Sequence, residues 1–197
     1  MTRAPAPIRY ILCVILLVVG AACRRSRGEA PFAVVDMVRE FDRAEKRPAA
    51  GFQITDYAVG GVVRRSILIP APSRLIWSFP LPRHGRFRAF LATRERGSPA
   101  TAVRFRFGVS DLRIYEGLAE YTLTSNQSAW VDFGADLSAY AGFKVSLFYH
   151  PDSVLWRVVL AADVIGDGPV SAVWGSPEIV TDFGAAKEYA ARRQQLR

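Results

Sequence analysis

Cysteine is nearly absent from this chain of 197 residues, which has only Cys13 and Cys23. Two cysteines exclude a disulfide-dense scaffold and a four-cysteine zinc site. Histidine is equally scarce, with His84 and His150 alone, so little metal or acid–base chemistry can be built on imidazole. The sequence contains no phosphate-binding loop, no nucleotide-binding glycine fingerprint and no serine nucleophile elbow. It also lacks an internal repeat and any low-complexity tract. Apolar residues are abundant instead: half the chain is hydrophobic and 12% is aromatic. That proportion excludes a disordered chain, and the length fits one domain with appendages.

Acidic residues are missing from the first 22 positions, which carry Arg3 and Arg9 and then an unbroken apolar run from Tyr10 to Val19. The run is shorter than the roughly 20 residues a membrane span needs. Gly20, Ala21 and Ala22 lead into Cys23, so residues 1–22 read as a signal peptide with a basic start, an apolar middle and a small-residue cleavage site. The Val-Gly-Ala-Ala-Cys run resembles the lipobox of bacterial lipoproteins, although Gly20 stands where leucine is usual. That resemblance implies acylation of Cys23, a lipid-anchored envelope protein and, with Arg24 rather than Asp following, the outer membrane. An ordinary signal cut near Ala22 and an uncleaved short anchor are the alternatives. Removing residues 1–22 takes away two arginines and no acid, which lowers the formal net charge from +8 to +6. A basic balance fits nucleic acid as well as anionic headgroups, but an export signal argues against nucleic acid. Residues 23–30 read as a tether.

Residues 31–47 are expected to form an amphipathic helix, because Val34, Met37, Val38, Phe41 and Ala44 recur at helical spacing among charged residues. Pro48 would end it. Over 51–182 the period changes to two. Leu75, Trp77, Phe79 and Leu81 alternate with other residues, as do Phe87, Ala89 and Leu91, Val103 to Val109, Phe143 to Tyr149, and Trp156, Val158 and Leu160. Turn residues punctuate these runs at Pro70-Ala71-Pro72-Ser73, Pro82-Arg83-His84-Gly85, Arg96-Gly97-Ser98-Pro99 and Asp167-Gly168-Pro169. The fold expected is mainly β, an antiparallel β-sandwich of the jelly-roll type with the N-terminal helix in front. Residues 183–197 are a basic tail, either a short helix or a frayed end.

Trp77 and Trp156 sit at inward positions and are expected in the core. The arginines of Arg86-Phe87-Arg88 and Arg104-Phe105-Arg106 fall on one face of each strand and, with Arg64 and Arg74, are expected to make a basic outer stripe. Solubility and protection of strand edges account for such a stripe as well as an anionic ligand does. Asp163 and Asp167 are the best candidates for a Ca²⁺ loop, against ordinary turn chemistry. No other cofactor is expected. His150 beside Asp152 has a carboxylate to orient it but no nucleophile nearby, so the chain is expected not to be an enzyme.

Four local signatures then carry a resemblance. They are Arg65-Ser-Ile-Leu-Ile-Pro-Ala-Pro-Ser-Arg-Leu; Ala102-Val-Arg-Phe-Arg-Phe-Gly-Val-Ser-Asp with Ile114-Tyr-Glu; Trp130-Val-Asp, Asp136-Leu-Ser-Ala-Tyr-Ala-Gly and Phe143-Lys-Val-Ser-Leu; and Trp174-Gly-Ser-Pro-Glu-Ile. Residues 66–179 resemble a galactose-binding-domain-like jelly roll of bacterial envelope proteins. The resemblance implies a loop end that binds carbohydrate, often beside a structural Ca²⁺, and Trp174 is expected to cover an open end. The expected function is therefore a non-catalytic binding module at the envelope for carbohydrate or another envelope ligand. The alternative is a structural lipoprotein that contacts a partner protein. Candidate ligand residues on the loops are Asn126, Trp130, Tyr140, His150 and Asp152. Tyr140 and Leu137 read as turned inward within an Asp-started turn.

Overall fold

The computed structural model describes residues 31–95, 101–124, 127–140 and 155–195. The expected signal peptide, Cys23, the tether, Asn126, His150, Asp152 and the 143–149 strand lie outside them. Eleven strands are described: β1 Phe32–Asp36, β2 Glu45–Arg47, β3 Gln53–Val59, β4 Val62–Pro70, β5 Ser73–Phe79, β6 Arg86–Glu95, β7 Ala102–Ser110, β8 Tyr115–Thr124, β9 Val131–Asp136, β10 Trp156–Ile165 and β11 Val170–Thr181. A helix, α1, spans Phe183–Gln195.

The strands form two antiparallel sheets. The first, sheet A, has the order β3-β4-β11-β6-β9 with β1 also pairing β11, and sheet B has the order β2-β5-β10-β7-β8. Counted from β4, the eight strands lie first-eighth-third-sixth in one sheet and second-seventh-fourth-fifth in the other. This is the two-Greek-key order of a jelly roll. The period-two runs face each other across the sandwich. Ile67, Ile69, Leu75, Trp77, Phe87, Leu91, Phe105, Phe107, Val158 and Leu160 are all buried in one cluster. Trp156 joins them, as expected. Trp174 does not cover an open end: it is fully buried at the centre. Phe87, Phe105 and Phe133 pack edge-on around it at ring separations of 6.1, 5.2 and 5.6 Å. Its place in the middle of β11, the central strand of sheet A, sends its side chain inward rather than to the rim.

The expected helix over residues 31–47 is not formed. The segment is strand β1, a single 3₁₀ turn at Phe41–Arg43 and strand β2. The reason lies in β11. Strand β4 pairs with it only from Ser66 to Pro70, which leaves Glu178 to Thr181 with an open edge. Strand β1 fills that edge, from Phe32 opposite Thr181 to Asp36 opposite Glu178. The two strands change over where β11 carries a bulge between Gly175 and Glu178. Buried backbone groups must find partners, so this pairing outweighs a helical stripe. Asp36 stops the strand by accepting from the Val38 and Arg39 N–H groups at 3.0 and 3.2 Å.

The basic tail is helix α1. Asp182 caps it, its Oδ1 accepting from the Ala185 N–H at 2.9 Å. Ala185 and Tyr189 are buried, and Tyr189 joins the main core. Phe183 meets Phe32 of β1 at 5.2 Å. Burial pushes the Tyr189 hydroxyl up to about 12.

Candidate functional site

The outer face of sheet A is not the polar surface that alternation suggests. Leu68, Val173 and Ala92 stand side by side on β4, β11 and β6 and are buried there, with Tyr57, Val59 and Trp130 packed over them. The cover comes from two directions. Beyond Ser66, β4 pairs only with β3. The Gly60-Gly61 turn of that hairpin meets residues 127–130 so closely that a Cβ on Gly60 would lie 2.3 Å from the Ser128 carbonyl oxygen. Both glycines also have positive φ, a conformation that glycine alone adopts readily.

Trp130 is seated by three contacts. Its indole Nε1 donates to the Val62 carbonyl at 2.8 Å. Its six-membered ring lies on Gly175, where a Cβ would come within 2.8 Å. Tyr57 meets it edge-on at 6.0 Å and 77°. Around this pair, Arg64 stacks its guanidinium 3.2 Å from the centre of the Phe90 ring and 5.8 Å from that of Trp130. The Tyr57 hydroxyl donates to the Thr93 carbonyl, and Gln127 Oε1 accepts from the Thr93 N–H, both at 3.2 Å. Trp130, Tyr57, Phe90 and Arg64 are all half-buried, so each keeps an edge or a face toward solvent.

The remaining expected ligand residues do not gather here. Tyr140 lies beyond the far end of β9, roughly 20 Å of strand away at about 3.3 Å per residue. It packs edge-on against Trp156 at 5.2 Å. Burial, followed by a hydrogen bond to Glu116, pushes its hydroxyl up to about 12. Tyr140 and Leu137 thus turn inward as expected, and Asp136 Oδ1 holds the turn by accepting from the Ser138 N–H and hydroxyl. Asn126, His150 and Asp152 lie outside the described residues.

Of the Ca²⁺ candidates, Asp163 has its carboxylate engaged and Asp167 its backbone carbonyl. Asp163 forms an ion pair with Arg106 at 2.6 Å, and the Asp167 carbonyl accepts from the Thr101 hydroxyl at 2.6 Å. Among the described residues no group of three or more His, Cys, Asp or Glu side chains converges. The basic stripe is also divided. Arg64, Arg86 and Arg88 face outward from sheet A, whereas Arg74, Arg104 and Arg106 face outward from sheet B. The chain changes sheet between β4 and β5 and again between β6 and β7, so equal spacing along the sequence puts these groups on opposite sides of the molecule. Three of the six are matched by acids: Arg88 by Glu178, Arg104 by Glu120 and Arg106 by Asp163.

One concave site went unread in the sequence. A groove of about 460 Å³ runs along the β2 edge of sheet B, between the 3₁₀ turn and α1. Glu40, Arg43, Glu45 and Arg193 line it with Ile76, Phe79, Pro80 and Leu155. Trp77 lies beneath, its Nε1 donating to the Glu40 carbonyl at 2.9 Å. The first three of these residues pass for the polar face of a helix, and Arg193 for a solvated tail. Nothing local in the sequence brings position 193 to position 40.

No protein-family model matches the sequence, and a search of curated proteins gives no match. Solved structures to which the chain is similar include the CBM51-2 and INT domains of Clostridium perfringens ZmpB in complex with GlcNAc. That match has 15% identity and a TM-score of 0.45, covering 66% of this chain and 25% of that one. Another is the CBM22-1–CBM22-2 tandem domain of Paenibacillus barcinonensis Xyn10C, at 14% identity and a TM-score of 0.47, covering 80% and 51%. A third is TmCBM61 in complex with beta-1,4-galactotriose, at 10% identity and a TM-score of 0.38, covering 59% and 70%. The chain spans about a quarter of the length of the first of these and about half of the second.

Proposed function

We propose that this chain is a non-catalytic carbohydrate-binding module, held at the cell envelope by a lipid on Cys23, and that sugar meets it on the outer face of sheet A. The observation that carries the reading is the pair of half-exposed rings of Tyr57 and Trp130 on a sheet face, beside the Arg64 guanidinium and the Gln127 amide. The apolar C–H face of a pyranose packs on such a ring, and fixed polar groups orient its hydroxyls. An aromatic contact of this kind contributes on the order of 1 kcal/mol, so a single sugar would be held weakly and a longer glycan better. The basic, apolar and small-residue order of residues 1–23 supports the anchor.

A glycan array on the purified domain, followed by calorimetric titration of the best ligand, tests the ligand class. Binding that falls about twofold in Trp130→Phe and about fivefold in Tyr57→Ala, with the far-UV spectrum unchanged, is the expected result. An empty array overturns the reading. Mass spectrometry of the mature protein tests the anchor, since acylated Cys23 is expected at its N-terminus and an uncleaved Met1 refutes it. A second reading, a structural lipoprotein that docks a partner protein, is favoured by Leu112 and Ile114, which stand 74% and 72% exposed on the β7–β8 turn. Capture of one defined envelope protein, abolished by Leu112→Ser with Ile114→Ser, would support it over the glycan.

A further inference from the structure

The geometry points to a second site, in the groove beside β2, that takes an oxyanion: a carboxylate or sulfate ester carried on a saccharide. The saccharide part rests on the carbohydrate reading above, and the oxyanion part does not. The groove's volume of about 460 Å³ lies within the range of small-ligand sites, roughly 300–1,000 Å³.

Charge is arranged in the groove in an unusual way. Each of its two carboxylates is clamped by two guanidinium groups. Glu40 accepts from Arg43 at 2.8 Å on one oxygen and from Arg193 at 2.6 Å on the other. Glu45 is paired with both Arg47 and Arg157. In the groove's own lining Arg43 and Arg193 balance Glu40 and Glu45, and Arg47 and Arg157, which hold Glu45 from outside the lining, bring the cluster to two positive charges in excess. A guanidinium has five N–H donors in a planar fork, and each of Arg43 and Arg193 spends one on Glu40. The donors left over match the geometry of a further oxyanion, which Arg binds in bidentate fashion.

Burial decides that the cluster is more than surface ion pairing. Exposed pairs contribute little, and Arg43 is indeed 66% exposed. Arg193 is only 22% exposed, however, so water screens its guanidinium less and it attracts an incoming anion more strongly, against the repulsion of the Glu40 carboxylate beside it. Beside this charge, Ile76, Phe79, Pro80 and Leu155 supply an apolar wall. A sugar ring can lie on that wall while its acidic substituent reaches Arg43 and Arg193. The Tyr57 and Trp130 surface carries the single guanidinium of Arg64, stacked on Phe90, so it favours ring stacking, whereas the groove favours charge recognition.

The test uses trigalacturonic acid and its methyl ester, which keeps the rings and removes the charge. The acid is expected to bind at least tenfold more tightly than the ester, to weaken several-fold between 0.05 and 0.5 M NaCl, and to lose about tenfold in Arg43→Gln and more in Arg193→Gln. Arg43→Gln is the decisive variant, because an exposed side chain leaves folding untouched. Equal binding of acid and ester overturns the site, as does an acid affinity that ignores both variants. A second measurement separates this site from the carbohydrate reading. Sodium sulfate is expected to raise the melting temperature of the wild type more than that of Arg43→Gln with Arg193→Gln. That excess, observed when neither the acid nor the ester binds, leaves the oxyanion site standing and overturns its saccharide part. An equal rise in both proteins overturns the site outright.

Discussion

Replacement of Trp130 by alanine tests whether the outer face of sheet A carries a small core of its own. A fully buried aromatic side chain removes about 150–250 Å² from water. Trp130 is half-buried, so roughly 100 Å² is at stake, worth about 2.5 kcal/mol at about 25 cal/mol per Å². The hydrogen bond from its indole to the Val62 carbonyl adds about 1 kcal/mol. Partial collapse of Tyr57 and Arg64 into the gap returns some of this, which leaves a loss of about 2–3 kcal/mol. For a domain of this size that corresponds to a fall in melting temperature of roughly 5–10 °C. Thermal and urea unfolding followed by circular dichroism measure it, and a constant urea slope shows that the main core is still intact. Gly175→Ala is expected to act in the same direction, because its new Cβ would stand 2.8 Å from the Trp130 ring and 3.1 Å from Arg64. Trp130→Phe keeps one ring and loses the N–H and part of the indole's packing, so a loss of about 1–2 kcal/mol is expected. A melting temperature within 2 °C of wild type for both Trp130→Ala and Gly175→Ala would refute the seating of Trp130 on the sheet.

Three further outcomes follow from the structure. Trp174→Ala empties the middle of the main core and is expected to cost about 3–5 kcal/mol in urea unfolding, in contrast to the smaller loss at Trp130. Tyr189 is neutral in the fold up to about pH 12, whereas in the unfolded chain it ionises near 10. Its contribution is complete below pH 10 and disappears as the pH rises to 12, a loss of roughly 2–3 kcal/mol that Tyr189→Phe is expected to remove from the alkaline stability profile. Asp182 is held below the usual carboxylate range, first by the Ala185 N–H and then by His84, whose Nδ1 lies 2.7 Å away. Its stabilisation is present above the ordinary carboxylate pKa and is lost as pH falls through the depressed value. The protection of the α1 amides, that is, exchange corrected for its intrinsic pH dependence, should therefore fall in acid, and in Asp182→Ala it should already be low at neutral pH.

The sandwich was legible because its strands bury one face each, and a buried face writes itself as alternation. Leu75, Trp77 and Phe79 point inward as the pattern demands, and so do Val103, Phe105 and Phe107. Segment 31–47 misled because Val34, Met37, Val38, Phe41 and Ala44 satisfy a helical stripe by spacing alone. What decides the matter is an open edge on β11, some 140 residues further on. The same blindness to distance hid the sites. Trp130 was visible as an aromatic residue in a loop, but Gly175 beneath it and Val62 beside it belong to other strands. The arginine pairs were correctly placed on one face of each strand. Their assignment to opposite sides of the molecule needs the connection between the sheets, which local spacing does not encode.

The position of β11 has a consequence for how the protein is made. Among the described strands it is the last in chain order, and yet β4, β6 and β1 all pair with it. Until the ribosome has delivered residues 170–181, sheet A is a set of strands around a vacant centre, Trp174 is missing from the core, and β1 has waited through most of translation with nothing to pair with. The mainly distant pairing makes folding slow once the chain is complete. Sheet A therefore closes late, when residues 170–181 arrive between strands already made.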